Sequence, residues 1–286
     1  MGRQPKPYHR VQLTDPTEDN YLDINSAGAA LTMPIHLAVA NGDVVGWESN
    51  KQHGEVEAST AWQQVIVGGI YQMPTYDLAV PVRIAAGGDA ADDAAGTGAR
   101  AVTICGRDAT GLLVTETLVT AGASASAYST TSFARICKSW VSASGSYFAT
   151  GTNSHAATIT IEDSAANVWA TIETETALGR GESECACYTV GLGQQAFITG
   201  ISLSSDANKV TDINLAIREN ADGIIAPFTS FRTFKEWRDI QGGRDEQPLL
   251  PWGPFPAHTD IICSARVAAT TAIVEVSLDL AISDVA

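Results

Sequence analysis

The feature that most constrains this chain is the alternation of apolar and polar residues, which recurs from about residue 61 to the end of the sequence. In its last stretch Ala272, Val274, Val276, Leu278, Leu280 and Ile282 fall on one side, with Glu275, Ser277 and Asp279 on the other. Strand side chains alternate across a sheet, so this spacing makes one buried and one solvated face. Gly96–Ala121 repeats the pattern on both sides of a tight turn. Val102 and Ile104 oppose Thr103 and Cys105, and Asp108-Ala109-Thr110-Gly111 has Asp and Gly where a turn uses them. Leu112, Val114, Glu116 and Leu118 then oppose Leu113, Thr115, Thr117 and Val119. Helical spacing persists for three turns nowhere. Phe228, Phe231, Phe234 and Trp237 recur every third residue, yet their residue types favour a strand.

Short strands at intervals of roughly 8–12 residues, separated by Gly, Ser, Asn and Pro, predict a mainly β protein. The expected architecture is antiparallel β-sandwich or jelly-roll-like domains behind an extended N-terminal arm. The arm spans residues 1–60, a first sandwich 61–180 and a second 181–286, with the boundary at Leu178-Gly179-Arg180-Gly181. Pro5, Pro7, Pro16 and Pro34 interrupt the arm, and Asp15, Glu18, Asp19 and Asp23 make it acidic. Fixing each backbone residue costs about 1–2 kcal/mol. An arm without a core of its own is therefore expected to be ordered by a neighbouring copy or another protein. Trp47 or Trp62 would lie at that contact as an aromatic anchor. Trp62–Met73 reads as a strand with a bend at Gly68-Gly69, and Leu78, Val80, Val82 and Ile84 as a strand that Pro81 pushes to a sheet edge.

The 286 residues carry a formal charge of −15, which argues against nucleic acid as a partner, since phosphate contacts require clustered Lys and Arg. Arg3, Lys6 and Arg10 form only a short basic tail. No apolar run approaches the ~20 residues of a membrane span. No apolar core follows the basic start, so no signal peptide is expected. Cys105, Cys137, Cys185, Cys187 and Cys263 are odd in number and read as small buried thiols. Cys185 and Cys187 share a face but lack the second pair that zinc needs.

No GxSxG or HExxH occurs, and His9, His36, His53, His155 and His258 are scattered. His258 and Asp260 read as a polar turn entering a strand. GTGAR enters a strand and lacks the helix dipole of a phosphate loop. Asp89, Asp92 and Asp93 lack calcium-loop spacing and read as a solvated loop. Glu173 with Glu175, or Glu182 with Glu184, are carboxylate pairs of the kind a glycosidase uses, but nothing fixes their separation. The expectation is no enzyme, no cofactor and no metal. Trp237 and Trp252 are the candidates for stacking on a sugar.

Three stretches carry a resemblance. The first is Gly96–Arg100 with the strand after it, the Gly106–Gly111 turn and Glu116-Thr117; the second is Tyr188-Thr189-Val190 with Gly193 and Ala196–Gly200. The third is Pro256 with Thr259-Asp260-Ile261 and the final alternating strand. Together they resemble structural proteins of tailed bacteriophages of the marine-phage type, over residues 80–286. Between Arg218 and Pro256 a longer Trp- and Pro-rich loop replaces the compact turn of those proteins, and the arm has no counterpart. The resemblance implies a non-enzymatic virion component, either a capsid-decoration, head-surface or fibre protein or a tail-associated one. The expected partners are other virion proteins and copies of itself as a homo-oligomer; the charge and the lack of a long apolar run argue against nucleic acid and membrane. The alternative is a carbohydrate- or receptor-binding module, with a host-surface glycan as partner. Trp47, Trp62, Trp237 and Trp252 are the expected interaction residues.

Overall fold

In a computed structural model, residues 9–12, 21–24, 39, 44–147, 154–174, 180–206, 208–223, 225–246, 248 and 251–285 are described. The chain divides into two compact units, Met1–Ser49 and Asn50–Ala286. In the first, β1 (His9–Gln12) pairs antiparallel with β2 (Tyr21–Ile24). Most of the remaining expected arm lies outside the described residues.

The strands that follow are β3 (Trp47–Ala58), β4 (Gln63–Gln64), β5 (Val80–Pro81), β6 (Arg83–Ile84), β7 (Ala99–Arg107), β8 (Leu113–Val119), β9 (Ser132–Phe133), β10 (Arg135–Ser144) and β11 (Ile159–Glu162). They continue with β12 (Val168–Ile172), β13 (Cys187–Thr189), β14 (Gln194–Ser205), β15 (Thr211–Arg218), β16 (Arg232–Ile240), β17 (Arg244–Glu246), β18 (Trp252–Phe255), β19 (Asp260–Val267) and β20 (Ala272–Asp284). The mainly β, antiparallel expectation holds. Its finer form, a sandwich or jelly roll, is not established, because the four larger sheets are set like the blades of a four-bladed propeller. Their orders are β10-β7-β8, β12-β11-β6, β13-β19-β15-β16 with β4 beside β19, and β17-β14-β20-β3 with β18 beside β14.

Two large apolar cores hold these sheets, beside a smaller cluster of Ile66, Tyr71, Cys185, Cys187 and Ile262. One draws on β13–β16 and β18–β20 together with Ala58 and Val65, and is centred on Ile198, Leu203, Ile213, Leu215, Val276 and Leu278. The other draws on residues between Val82 and Ile172, among them Val102, Ile104, Phe133 and Ile161. Each such aliphatic side chain contributes about 1.5–3 kcal/mol on burial. In β20 the alternation is obeyed residue by residue, with Ala272, Val274, Val276, Leu278, Leu280 and Ile282 all buried. That strand pairs with β14 from Gln194↔Asp284 to Ser205↔Val274, interrupted by one bulge at Thr199.

Two expected strands are corrected. Within Trp62–Met73 only Gln63–Gln64 is strand. Gly68 takes a φ of +66°, and a side chain there would meet Thr171 Oγ1 at 2.7 Å, so the chain turns. Leu78 closes a short 3-10 helix, Tyr76–Leu78, and only two-residue strands follow. There the hydroxyls of Ser129 and Ser126 accept the N–H groups of Val82 and Ile84, both at 2.9 Å, in place of a longer ladder.

Candidate functional site

Five strand ends converge on a buried carboxylate. Arg135 opens β10 and Asp260 opens β19, and both side chains are fully buried. Arg135 Nε and Nη2 donate to Asp260 Oδ1 and Oδ2 at 3.0 and 3.2 Å, while its Nη1 donates to the carbonyls of Pro74 and Ala134 at 2.7 and 2.6 Å. Arg218, the last residue of β15, donates to Oδ2 through Nε at 3.0 Å and through Nη2. Thr189, the last of β13, donates its hydroxyl to Oδ1 at 2.5 Å. Tyr71 in turn donates to Thr189 Oγ1 at 2.8 Å. Burial pushes the Tyr71 phenol well above its ordinary value, so it remains a neutral donor. Arg107 closes β7 and donates to the Tyr188 hydroxyl at 2.9 Å and the Thr189 carbonyl at 3.3 Å. An isolated buried charge is costly, and here the carboxylate's lone pairs are filled by the chain itself. This is a structural joint.

The reading of His258 as a turn residue agrees with its φ of +60°. Its ring stacks on Tyr76 with centroids 4.8 Å apart, and its Nδ1 lies 3.2 Å from Asp222. Asp260 itself lies inside the protein, which its place in a polar turn did not signal.

A cleft of about 640 Å³ opens beside β16, β17 and β18. Phe234, Trp252 and Phe255 form its apolar wall, and Glu219, Arg232, Lys235 and Glu246 its charged rim. The Phe234 ring lies 5.7 Å from Trp252 and 5.4 Å, edge-on, from Phe255. Lys235 Nζ sits 5.1 Å above the Trp252 ring and donates to Glu246 Oε1 at 2.8 Å. Hydrogen bonds from Lys235 and from the Trp237 indole, the latter at 2.7 Å, hold the Glu246 carboxyl below its ordinary value. Arg232 is paired with Glu219 at 3.0 Å. An apolar aromatic wall rimmed by polar groups suits the flat, apolar face of a sugar ring.

Trp237 and Trp252 are brought together, with centroids 6.3 Å apart. Of the two, Trp252 lines the cleft, whereas buried Trp237 packs beside it without reaching the cleft. Phe234, 36% exposed, takes the place on the wall that Trp237 was expected to hold. The cause is a bulge. Register shifts between Ala216↔Thr233 and Leu215↔Lys235, so Phe234 is the extra residue and turns towards the side of Lys235 and Trp237. The every-third-residue spacing was the signal of this, carried by a strand and not a helix. Phe255 and Lys235 had no such signal. Trp62 is elsewhere, 40% exposed, with the Arg266 guanidinium 4.7 Å over its ring. Trp47 is half-buried at the start of β3.

The acidic residues are engaged within the chain. Asp92 is buried and not solvated, accepting the N–H groups of Ala99, Ala156 and Ala157 at 2.8 to 2.9 Å. Asp89 and Asp93 close turns onto the N–H groups of Ala91 and Ala95. Glu182 pairs with Lys138 at 2.6 Å and Glu184 with Arg180 at 2.5 Å, whereas Glu175 lies outside the described residues. The five cysteines are free thiols, Cys105 half-buried and the others buried. Burial pushes Cys137 up to about 11, and Cys187 and Cys263 well above the ordinary thiol value. Among the described residues no group of three His, Cys, Asp or Glu is placed to hold a metal ion, and no helix is long and apolar enough to cross a membrane.

Compared with protein-family models, curated proteins and solved structures, the chain has no match.

Proposed function

We propose that this chain is a non-enzymatic structural protein of a tailed-bacteriophage virion, a capsid-decoration, head-surface or tail-associated component. It resides in the particle and assembles with other virion proteins and with copies of itself. One observation supports this reading above the rest. Arg107, Tyr188, Thr189 and Asp260 come from the three stretches that carry the resemblance, and they meet in one buried joint. Residues used in this way hold an architecture together. Within that architecture we read each pair of sheets sharing a core as a sandwich-like unit. The test is to purify the phage particles from a host lysate, identify their proteins by mass spectrometry and label them with antibody against this chain. The chain should co-purify at a fixed ratio to the major head or tail protein and take label at regular positions. Its absence from purified particles would sink the reading.

A second reading, a glycan-binding module, is favoured by the cleft at Trp252. A glycan array probed with the purified chain tests it. Binding should be lost in Trp252→Ala and kept in Trp62→Ala, whose ring lies away from the cleft. An array without signal, or equal binding by both variants, removes this reading.

A further inference from the structure

Sheet edges expose unpaired backbone groups, and proteins blunt them with charge, bulges or cover. Most large edges here are blunted. The β3 edge carries Lys51, Glu55 and Glu57, and its His53 carbonyl accepts the Cys185 N–H at 2.6 Å. The β16 edge carries Arg232, Lys235, Glu236 and Arg238 and is broken by two bulges. The outer edge of β10 is covered, with Val141 N–H bonded to the Gly181 carbonyl and Ser183 N–H to the Ser139 carbonyl, both at 2.7 Å.

The edge of β8 differs. It is the end strand of its sheet, seven residues long, and reads Leu-Val-Thr-Glu-Thr-Leu-Val without Pro, Lys, Arg or a register shift. The parity of its ladder follows from its two ends. Thr120 N–H donates to Arg100, and Leu112 accepts from Asp108 N–H, so even-numbered residues bond inward to β7. Leu113, Thr115, Thr117 and Val119 therefore direct their N–H and C=O groups outward. No backbone hydrogen bond to another described residue takes these groups up. The same four side chains are exposed, Leu113 by 54% and Val119 by 59%. The one charge, Glu116, lies on the opposite face, where it accepts the N–H groups of Thr130 and Thr131 at 2.7 and 2.8 Å.

We propose that β8 pairs antiparallel with β8 of a second copy of this chain across a twofold axis, joining two three-stranded sheets into one of six. The proposal rests on the reading that copies of the chain assemble, and it names the surface. The occupant follows from charge. The chain carries −15, so most of its surface repels a second copy, while the outward groups of β8 are neutral and include no ionised side chain. Each outward residue offers one donor and one acceptor, so the edge complements itself when odd residues face odd residues. Exposed Leu113 and Val119 then add apolar contact across the axis.

The experiment is sedimentation of the purified full chain at micromolar concentration, with amide exchange read at residues 113, 115, 117 and 119. The wild type should sediment as a dimer with these four amides protected. Thr115→Lys and Val119→Lys should each halve the mass and expose the amides. Thr115→Pro should do the same, since it deletes an outward donor and leaves the bonds to β7 intact. A native far-ultraviolet spectrum confirms that each variant is folded. A monomeric wild type overturns the proposal, as does a dimer that survives all three variants. Neither result depends on whether the chain is found in particles, so this failure is distinguishable from failure of the virion reading.

Discussion

Asp260→Asn removes the one negative charge that two guanidiniums share at the buried joint. Wild-type Asp260 accepts five hydrogen bonds, two from Arg135, two from Arg218 and one from Thr189. Summing five charge-assisted bonds would overstate the effect, because desolvation of the three ions offsets most of it. Breaking a buried pair by removing one partner costs about 3–5 kcal/mol, and Asp260→Asn should reach that range because it strands Arg135. Arg135→Met leaves Asp260 its bonds to the partly exposed Arg218, so it should lose about 3 kcal/mol. Arg218→Met should lose about 1–2 kcal/mol, since Arg135 still satisfies the carboxylate. Arg135→Met/Asp260→Leu together should lose less than Asp260→Asn alone, because no fully buried charge is left unpaired. Urea denaturation measures all four, with the Asp260→Asn midpoint falling by about 1–2 M at unchanged slope. A loss below about 1 kcal/mol for Asp260→Asn, or a double variant that loses the sum of the single losses, would refute the view of this joint as a stability-determining ion pair.

Asp163 accepts hydrogen bonds from Asn167, Trp169 and the N–H of Ala165, which outweigh the opposing effect of burial and lower its pKa. A lowered folded-state pKa stabilises above the unfolded value of about 3.9 and is lost as pH falls through the folded one. The stability difference between wild type and Asp163→Asn should thus be full above about pH 5 and shrink below about pH 4, as pH-dependent urea melts will show. For the cysteines, a thiol reagent near pH 8 should modify only half-buried Cys105 in the native chain and all five after denaturation, counted by mass spectrometry. Fewer than five on denaturation would reveal a disulfide.

The alternation in 272–282 and 96–121 made the strands β7, β8 and β20 legible, because a period of two and the 3.6 of a helix cannot both be satisfied by one pattern. The odd number of cysteines without a second zinc-spaced pair gave the reading of small buried thiols, which fits Cys137, Cys185, Cys187 and Cys263 but not half-buried Cys105. Alternation was less able to delimit short strands. Val80–Ile84 alternates without fault, yet Pro81 and the side-chain hydrogen bonds of Ser126 and Ser129 divide it, and those serines lie over forty residues away. At the cleft Trp252 was legible as a Trp in an irregular loop. Phe234 was not, since its direction depends on a bulge, and a bulge is set by how two strands pair.

What the sequence determined by itself was a mainly β chain and the inward face of strands such as β7 and β20, because side-chain alternation is a local property of extended chain. Tertiary structure alone decided which strand ends meet. Arg135 and Asp260 stand 125 residues apart, and neither is marked by its neighbours as a buried ion. Each reads as an ordinary polar residue at the start of a strand. They become a pair only when β10 and β19 begin at the same place in space, where both are buried and Asp260 is the carboxylate that answers the Arg135 charge.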